Sequence, residues 1–409
     1  MLGAMKTQPA SLEIMPGRLL SLAGDAAGIT QAALLITLAG GFLMPSIAAW
    51  SMLFYLTLMP AVLWRLWQGW RPDWRNPALA AMLALWLWST LAICWDTNVS
   101  GHGNTHFYWL WNAGCTLIFL LGFLMAQTSA AAPQRIVAAL LAGAAGNTAL
   151  SVALFLAQGD LTTRLFGWGI TRNPTLGAAI IEICLLLAIK SGMGGRRWAW
   201  AAAVPMGLYL LFSYSRAALI GLSVALAILG FGANLALSAA VCAAVLAVLG
   251  LVWRFWHGLF SVVWENLVGR GTDCHVLIWR TAWQQIARHP LIGFGPSARL
   301  PITASEYCPA YPSPHDLYLS LLYYSGGIGF GLFLLTLALL WRHLRRAVPG
   351  GAARRFWLAL AVIPFIAGLS DLSQIIKGPA PTWYIVWLPM LLVLTLPTRK
   401  SQAEPEISV

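Results

Sequence analysis

The sequence has few charged residues: Asp, Glu, Lys and Arg make up only 9% of its 409 residues. A soluble globular chain carries about 25% charged and about 45–50% apolar residues, whereas 59% of this chain is hydrophobic. The six cysteines are too sparse for a disulfide scaffold, and the composition also excludes intrinsic disorder and collagen-like repeats. The scarcity of charge excludes a soluble protein and indicates that most of the chain lies in a bilayer.

Motifs for metals and nucleotides are also lacking. No two acidic residues form the Asp-x-Asp pair that would bind a hard cation, and no Cys/His spacing resembles a zinc site. The sequence has no Gly-x-x-x-x-Gly-Lys loop for a nucleotide phosphate. We therefore predict a mechanism without metal or cofactor, in which arginine side chains take the place of a cation.

Long apolar runs, each of about the 20 residues that a helix needs to cross a bilayer, are what the sequence does contain. These runs are 19–41, 46–66, 78–95, 107–127, 134–157, 174–190, 198–214, 217–233, 235–253, 316–341, 355–376 and 382–397. They predict an all-α polytopic membrane protein with about twelve transmembrane helices. The predicted parts are nine spans in 1–253, a long polar segment in 254–315, three spans in 316–397 and a tail in 398–409.

The net charge of +12 predicts the orientation of the chain. In an apolar chain a basic excess usually reflects membrane orientation, so no nucleic-acid partner is predicted. If the N-terminus is inside, the short outer loops hold only Arg164, Arg172, Arg216 and Lys377 from the 25 basic residues, and most of the others lie inside. The positive-inside rule then places both termini in the cytoplasm and segment 254–315 outside. The first 18 residues lack the apolar region and cleavage site of a signal peptide.

The outer segment 254–315 is predicted to contain amphipathic helices. Aromatic residues at three- and four-residue steps indicate a first helix along the membrane surface; they are Trp253, Trp256, Phe260 and Trp264. A second helix over 276–290 has two predicted faces, one with Trp279, Trp283 and Ile286 and the other with Arg280, Gln284 and Arg288. An oxidising outer compartment permits a disulfide between Cys274 and Cys308, and the sequence leaves the bonded and free states open.

His315 is the candidate catalytic residue. It follows Pro314 at the junction of the outer segment and the next span, with Asp316 beside it and Tyr318 one short turn later. A neutral imidazole accepts a proton from a hydroxyl group near neutral pH, which predicts a general base. The alternative is a histidine that caps or packs at the start of a helix.

Five arginines are predicted to face outward. They are Arg164 and Arg172 around a Gly-containing loop, Arg216 in the turn SYSRAAL, and Arg280 and Arg288 on the outer helix. Guanidinium groups bind phosphate oxygens in bidentate geometry, so several of them on one side of a membrane indicate a phosphate-bearing ligand. The alternative for each arginine is an ordinary contact with lipid headgroups.

Glu182, midway along a predicted span, is the one carboxylate predicted deep in the membrane. Such residues are functional candidates. Because no second acidic residue lies in a neighbouring span, a proton relay is poorly supported. We expect Glu182 to pair with a polar group or to line the floor of a cavity.

Four motifs resemble, in order along the chain, signatures of the O-antigen ligase and Wzy-type polymerase superfamily. They are 172–178 (RNPTLGA), 213–219 (SYSRAAL), 279–295 (WRTAWQQIARHPLIGFG) and 314–329 (PHDLYLSLLYYSGGIG). The resemblance implies an inverting, metal-independent glycosyltransferase with a GT-C-like helical fold in the bacterial inner membrane, with a periplasmic active site. A ligase of this family transfers O-antigen glycan from undecaprenyl pyrophosphate to a sugar hydroxyl of lipid A-core, so the implied partners are these two substrates and membrane lipids.

By this resemblance, His315 activates the acceptor hydroxyl and Arg216 holds the pyrophosphate. The sequence departs from the family pattern in two places. Asp316 replaces the usual Asn, which would raise the basicity of its neighbour or only cap the helix. Where many members have a second Arg the chain has His275, so Arg270 or Arg280 is the candidate for that phosphate contact.

Several functions remain open at this point. A polymerase or a protein O-oligosaccharyltransferase would use the same residues with a different acceptor, although one long outer loop late in the chain favours a ligase. A lipid-linked oligosaccharide transporter would also have many spans and outer arginines. Transport predicts inverted repeats or broken helices with charges at the midplane, and the sequence indicates neither.

Overall fold

The structure of the protein, a computed structural model, describes residues 26–96, 105–127, 129, 131–230, 261, 265, 274–302 and 312–398. These residues form helices and connecting segments, with no strand among them. In chain order the helices are α1 Ala26–Leu43, α2 Ile47–Leu56, α3 Leu58–Trp67, α4 Pro77–Leu91, α5 Thr105–Met125, α6 Ala132–Gln158, α7 Pro174–Met193, α8 Arg197–Ser213, α9 Arg216–Gly230, α10 His275–Ile286, α11 Leu317–Ala347, α12 Gly351–Ala367 and α13 Leu388–Leu394. A 3-10 turn, Ala92–Trp95, extends α4, and a π turn, Trp383–Trp387, precedes α13.

Seven helical stretches in the described part of the chain are long and apolar enough to cross a membrane. They are Ala26–Leu43, Ile47–Trp67, Pro77–Trp95, Thr105–Met125, Ala132–Gln158, Pro174–Met193 and Leu317–Ala347. The protein is therefore a multi-pass membrane protein. Shorter helices occupy the other predicted apolar runs, except 235–253, which lies outside the described residues. The total of twelve spans stays a prediction.

The bundle is organised around α7, which packs against α6, α8, α9 and α12. Helix α12 also packs along α9, and α11 packs along α4. Helices α7, α9 and α11 all begin at one end of the bundle, where α12 ends, and this end is here called the site end. Buried aromatic side chains fill the core elsewhere; Trp383 stacks on Phe119 with ring centroids 4.5 Å apart, as helices in lipid associate through close packing.

The predicted span 355–376 is wrong in its second half. Helix α12 ends at Ala367, and 368–380 is an irregular but largely buried segment. Buried backbone groups need hydrogen-bond partners, and neighbouring side chains provide them. Asn112 accepts from the Gly378 N–H, Thr116 donates to the Lys377 carbonyl over 2.8 Å, and Trp387 donates to the Ile375 carbonyl over 2.8 Å. Because these side chains bind its buried N–H and C=O groups, the segment at the site end can be non-helical.

Helix α11, predicted as a continuous span over 316–341, is broken at Gly326, whose φ is 65° and ψ −171°. The loop 290–297 inserts at the break and replaces the lost helical hydrogen bonds. The Gly327 N–H donates to the Pro290 carbonyl over 2.7 Å, and the Phe294 N–H donates to the Tyr323 carbonyl over 2.8 Å. The motifs 279–295 and 314–329 are therefore two halves of one structural unit.

The apolar face of α10 also differs from the predicted one. Ile278, Ala282 and Ile286 are buried against α11, whereas the Trp279 and Trp283 side chains are 36% and 61% exposed. Packing against α11 selects the face, and residues four apart stack along it. The predicted helix around 253–264 lies outside the described residues, apart from Ser261.

The cysteine prediction is tested in part. Among the described cysteines, Cys94, Cys115 and Cys184 are free and Cys274 is disulfide-bonded. Cys308 lies outside the described residues. A bond between Cys274 and Cys308 stays a prediction.

Candidate functional site

His315 lies at the site end and is the residue immediately before the N-cap of α11. Its φ of 51° is in the left-handed region, which non-glycine residues seldom adopt. The next residue, Asp316, is the N-cap of α11, and its carboxylate accepts the Leu319 N–H over 2.8 Å. Burial raises the pKa of Asp316 above its usual value, although the N–H groups that it caps oppose this shift. Asp316 therefore has the capping role that the sequence left as an alternative.

The carboxylate that contacts His315 belongs to Asp371, in the irregular segment after α12. The Nδ1 atom of His315 and the Oδ1 atom of Asp371 are 3.3 Å apart. The backbones are also joined, since the Asp371 N–H donates to the His315 carbonyl over 2.9 Å and the Leu317 N–H donates to the Gly368 carbonyl over 2.6 Å. Asp371 also has a left-handed φ, of 62°. Each such conformation costs about 1–3 kcal/mol and is typical of functional sites.

Electrostatics keep Asp371 ionised. Its burial alone would raise the pKa, but hydrogen bonds from His315 and Thr175 and the electrostatic attraction of the His315 and His275 imidazoles outweigh burial and hold the pKa below its usual value. The stabilisation of the folded state that this pairing gives is therefore present at neutral pH, and it is lost only as the pH falls through the lowered pKa.

Thr175 reaches Asp371 because of how α7 begins. Asn173 caps the helix, accepting from the Thr175 and Leu176 N–H groups over 2.8 and 3.0 Å, and Pro174 occupies the first helical position. Asn-Pro is a strong signal for a helix start. The motif 172–178 thus contributes Thr175 to the site through an ordinary helix cap.

The hydrogen bond to Asp371 determines which imidazole nitrogen of His315 can act as a base. A carboxylate only accepts hydrogen bonds, so Nδ1 of the neutral ring carries the proton. The lone pair is then on Nε2, and the ring orientation is fixed by the carboxylate. A histidine held in this way can take a proton from a hydroxyl group that approaches Nε2.

Arg216 is the first residue of α9, in a tight turn after α8. Tyr214 makes the turn with a φ of 45°, and the Ser215 hydroxyl accepts from the Ala218 N–H over 3.4 Å. The Arg164 guanidinium donates through Nε to the Ser213 carbonyl over 3.0 Å. Arg164 therefore binds the turn itself, whereas Arg216 is presented at a helix N-terminus, where the helix dipole also favours anions.

The other predicted site residues are only partly brought to this region. Arg172, Arg280 and Arg288 are exposed, and Arg270 lies outside the described residues. The Tyr318 hydroxyl donates to the Phe365 carbonyl over 2.8 Å. Among the described residues, no group of three or more His, Cys, Asp or Glu side chains could hold a metal ion.

Two residues gain importance that the sequence did not give them. Asp371 has no motif around it; its only sequence signal is that it is the one carboxylate inside the apolar run 355–376. Thr175 carries no signal beyond its place after Asn-Pro.

Glu182 is 1% exposed and faces α9. A Cβ atom on Gly221 would lie 3.2 Å from its Oε2 atom, so the glycine gives the carboxyl group room, and the Leu222 backbone forms a hydrogen bond with it. The Glu182 carboxyl group therefore lies against the backbone of α9, the helix that begins with Arg216, and its Oε1 atom has no hydrogen-bond partner among the described residues.

The chain is similar to known proteins over the region just described. A family model described as O-antigen ligase matches residues 201–334, which include Arg216, α10, the inserted loop and His315. The chain is also 28% identical over 358 residues to the O-antigen ligase of Pseudomonas aeruginosa, and this similarity covers 84% of the present chain and 82% of that protein.

Proposed function

From the similarity of the chain to O-antigen ligases, we propose that it is a member of the O-antigen ligase superfamily and that it transfers O-antigen glycan from undecaprenyl pyrophosphate to a sugar hydroxyl of lipid A-core. The proposed location is the bacterial inner membrane, with both termini in the cytoplasm and the site end at the periplasmic face. The proposed reaction is an inverting glycosyl transfer without metal or cofactor, in a GT-C-like helical fold.

The observation that carries this proposal is the His315–Asp371 pair at the site end of a membrane bundle. In the proposed reaction, Nε2 of His315 takes the proton of the acceptor hydroxyl as its oxygen attacks the anomeric carbon of the donor glycan. The bond between that carbon and the phosphate oxygen breaks, and undecaprenyl pyrophosphate leaves with the bonding electrons. Inversion follows from attack on the face opposite the leaving group.

Arg216 is proposed to hold the pyrophosphate. Its guanidinium group and the N-terminus of α9 both favour an anion, and they are in place before the reaction begins. Preorganised positive groups stabilise the negative charge that develops on the leaving oxygen. Arg172, Arg270, Arg280 and Arg288 remain candidates for further phosphate contacts.

The function is tested with purified protein in lipid vesicles, supplied with undecaprenyl-pyrophosphate-linked glycan, EDTA and no ATP. We expect glycosylated lipid A-core when that acceptor is present. Longer lipid-linked glycan in place of this product would identify a polymerase, and glycosylated protein would identify a protein O-oligosaccharyltransferase. A requirement for ATP or for a divalent metal would contradict the proposed mechanism.

Replacing Asp371 with Asn is expected to lower the transfer rate by about 100-fold or more, because an amide can donate to Nδ1 and favour the tautomer that lacks the Nε2 lone pair. Asn tolerates the left-handed backbone, so the variant is expected to fold. The measurement is the initial transfer rate at saturating donor, together with the melting temperature in detergent.

Asp160→Asn is the matched control for this variant, since Asp160 is an exposed carboxylate that binds Thr162 in the loop after α6. We expect wild-type transfer from it. If the Asp371→Asn protein is as active as the Asp160→Asn protein, the proposed role of Asp371 in positioning His315 is contradicted.

A further inference from the structure

An apolar groove of about 330 Å³ lies between α11, α12 and the segment 386–393. Leu317 and Tyr318 line it at the site end, and Leu344 and Trp357 line it at the opposite end. Apart from the Tyr318 hydroxyl, which is bound to a carbonyl, and the indole nitrogens of two Trp residues, the lining side chains are hydrocarbon or thioether. The lining of the groove is therefore predominantly apolar and suits an aliphatic chain.

The mouth of the groove is continuous with the candidate site. Leu317 is two residues after His315, and its N–H is bound to the Gly368 carbonyl by the same backbone pairing that joins His315 to Asp371. Tyr318 spans the mouth from α11 to α12 and packs against Phe365, with ring centroids 5.3 Å apart. This end of the groove is therefore adjacent to the candidate site, with Tyr318 between them.

The dimensions of the groove favour a single chain. Beyond Leu317 and Tyr318 at the mouth, its wall runs on α11 from Phe333 to Leu344 and on α12 from Trp357 to Phe365, which corresponds to about 16 and 12 Å of helix. This is about half of the 30 Å hydrocarbon core of a bilayer. Two helices and one further segment enclose the groove, so it accepts one chain lengthwise. Lipid A-core, which carries several acyl chains side by side, fits it poorly.

We propose that this groove binds the first isoprene units of the donor's polyprenyl tail and thereby positions the pyrophosphate at the site. The inference rests on the proposed function, because the donor is the substrate whose anionic group is joined directly to one long unbranched chain of isoprene units. The side of the groove at Trp341 and Phe365, which are 39% and 55% exposed, gives the rest of the tail a path into the surrounding lipid. Tyr318 is then a positioning residue at the point where the tail leaves the site.

The binding test uses the full chain in vesicles of phosphatidylethanolamine and phosphatidylglycerol. The probe is undecaprenyl pyrophosphate with a diazirine on its second isoprene unit, photolysed and located by peptide mass mapping. We expect labelling in 333–344 and 357–365 that unlabelled undecaprenyl pyrophosphate displaces. Labelling elsewhere would overturn the proposal. Equal labelling of these peptides by a phosphatidylethanolamine that carries a diazirine on an acyl chain would also overturn it.

A groove-filling variant tests the consequence for binding and catalysis. Ala361 lies in the α12 wall and is exposed, so Ala361→Trp fills the groove without overpacking the core. Ala149 is an exposed alanine in α6 outside the groove, and Ala149→Trp is the matched control. Because the added indole displaces the dispersion contacts of the tail, we expect Ala361→Trp to lower probe labelling by about tenfold relative to Ala149→Trp.

The KM for the undecaprenyl donor is expected to rise in Ala361→Trp, while transfer from a donor with one isoprene unit stays equal to that of Ala149→Trp. Equal KM values for the two variants would overturn the proposal that the groove binds the donor tail. If the probe labels the groove of the wild-type protein but that protein transfers no glycan, the proposed function is contradicted and the groove proposal stands. If the protein transfers glycan but the probe labels other residues, the groove proposal is contradicted and the proposed function stands.

Discussion

Replacing His315 with Asn is expected to lower the rate of glycan transfer by about 10²–10⁴-fold, the usual contribution of a general base. Asn cannot accept the acceptor's proton at neutral pH, so the variant retains the site but lacks the base. Asn is preferred to Ala here, since the φ of 51° at this position is one that Asn tolerates and Ala does not. The measurement is initial transfer rate under saturating donor, normalised to the amount of monodisperse protein.

His343→Ala is the control for histidine loss. His343 lies near the end of α11 opposite the site and contacts the Leu396 carbonyl through Nε2 at 3.1 Å, so we expect full transfer activity. Donor labelling by the photoreactive probe should be unchanged in His315→Asn, because the proposed role of His315 is in chemistry and not in holding the tail. Wild-type transfer by His315→Asn would refute its assignment as the base.

Replacing Gly326 with Ala is expected to destabilise the protein by about 3 kcal/mol or more, because the substitution imposes backbone strain and breaks buried hydrogen bonds. At a φ of 65° and ψ of −171°, a Cβ atom would overlap the Leu291 carbonyl group and the Ile292 nitrogen. The loop 290–297 could not then reach Gly327 and Ile328, whose N–H groups it binds. The measurement is the melting temperature in detergent, followed by size-exclusion chromatography.

Gly331→Ala is the matched control, five residues further along the same helix. A Cβ atom there meets nothing within 4 Å, and Ala is favoured over Gly in a helix by about 1 kcal/mol. We expect this variant to melt at or above the wild-type temperature. If the Gly326→Ala and Gly331→Ala proteins have the same melting temperature, the inserted loop does not depend on the close contact between its backbone and Gly326.

The inserted loop at Gly326 is connected to the segment that carries Asp371. The loop that inserts at Gly326 continues to Ser297, whose N–H and hydroxyl groups both bind the Asp96 carboxylate over 2.6 Å. Gln374, three residues after Asp371, donates to the Pro296 carbonyl over 2.8 Å. Loss of the inserted loop is therefore expected to disturb the segment that carries Asp371, so Gly326→Ala should lose transfer activity together with stability.

Much of the helical layout was predictable from the sequence, since apolar runs, helix caps and breaks are local signals. Asn173-Pro174 predicts where α7 begins, and the structure has the helix start there. The span 355–376 failed because apolar composition does not distinguish a buried irregular segment from a helix. That difference depends on Asn112 and Thr116, more than 260 residues earlier in the chain, which satisfy its backbone.

The candidate site was predictable only in part. His315 and Arg216 each lie in a recognisable motif, and each is found at the site end. Five outward-facing arginines were predicted; of these, Arg164 binds the carbonyl of Ser213 and Arg172 is exposed. A sequence gives the side of the membrane on which a charge lies, whereas its distance from another charge depends on helix packing.

The sequence by itself determined that this chain is a helical membrane protein and predicted a basic, histidine-containing outer face, because hydrophobicity and charge act locally against the bilayer. Only the tertiary structure decided that Asp371, 56 residues after His315, is the carboxylate that orients it, and that the neighbouring Asp316 is a helix cap. The physical reason is that a hydrogen bond requires two groups within about 3 Å. Packing of α7, α11 and α12 brings these groups together, and this proximity cannot be deduced from their separation along the chain.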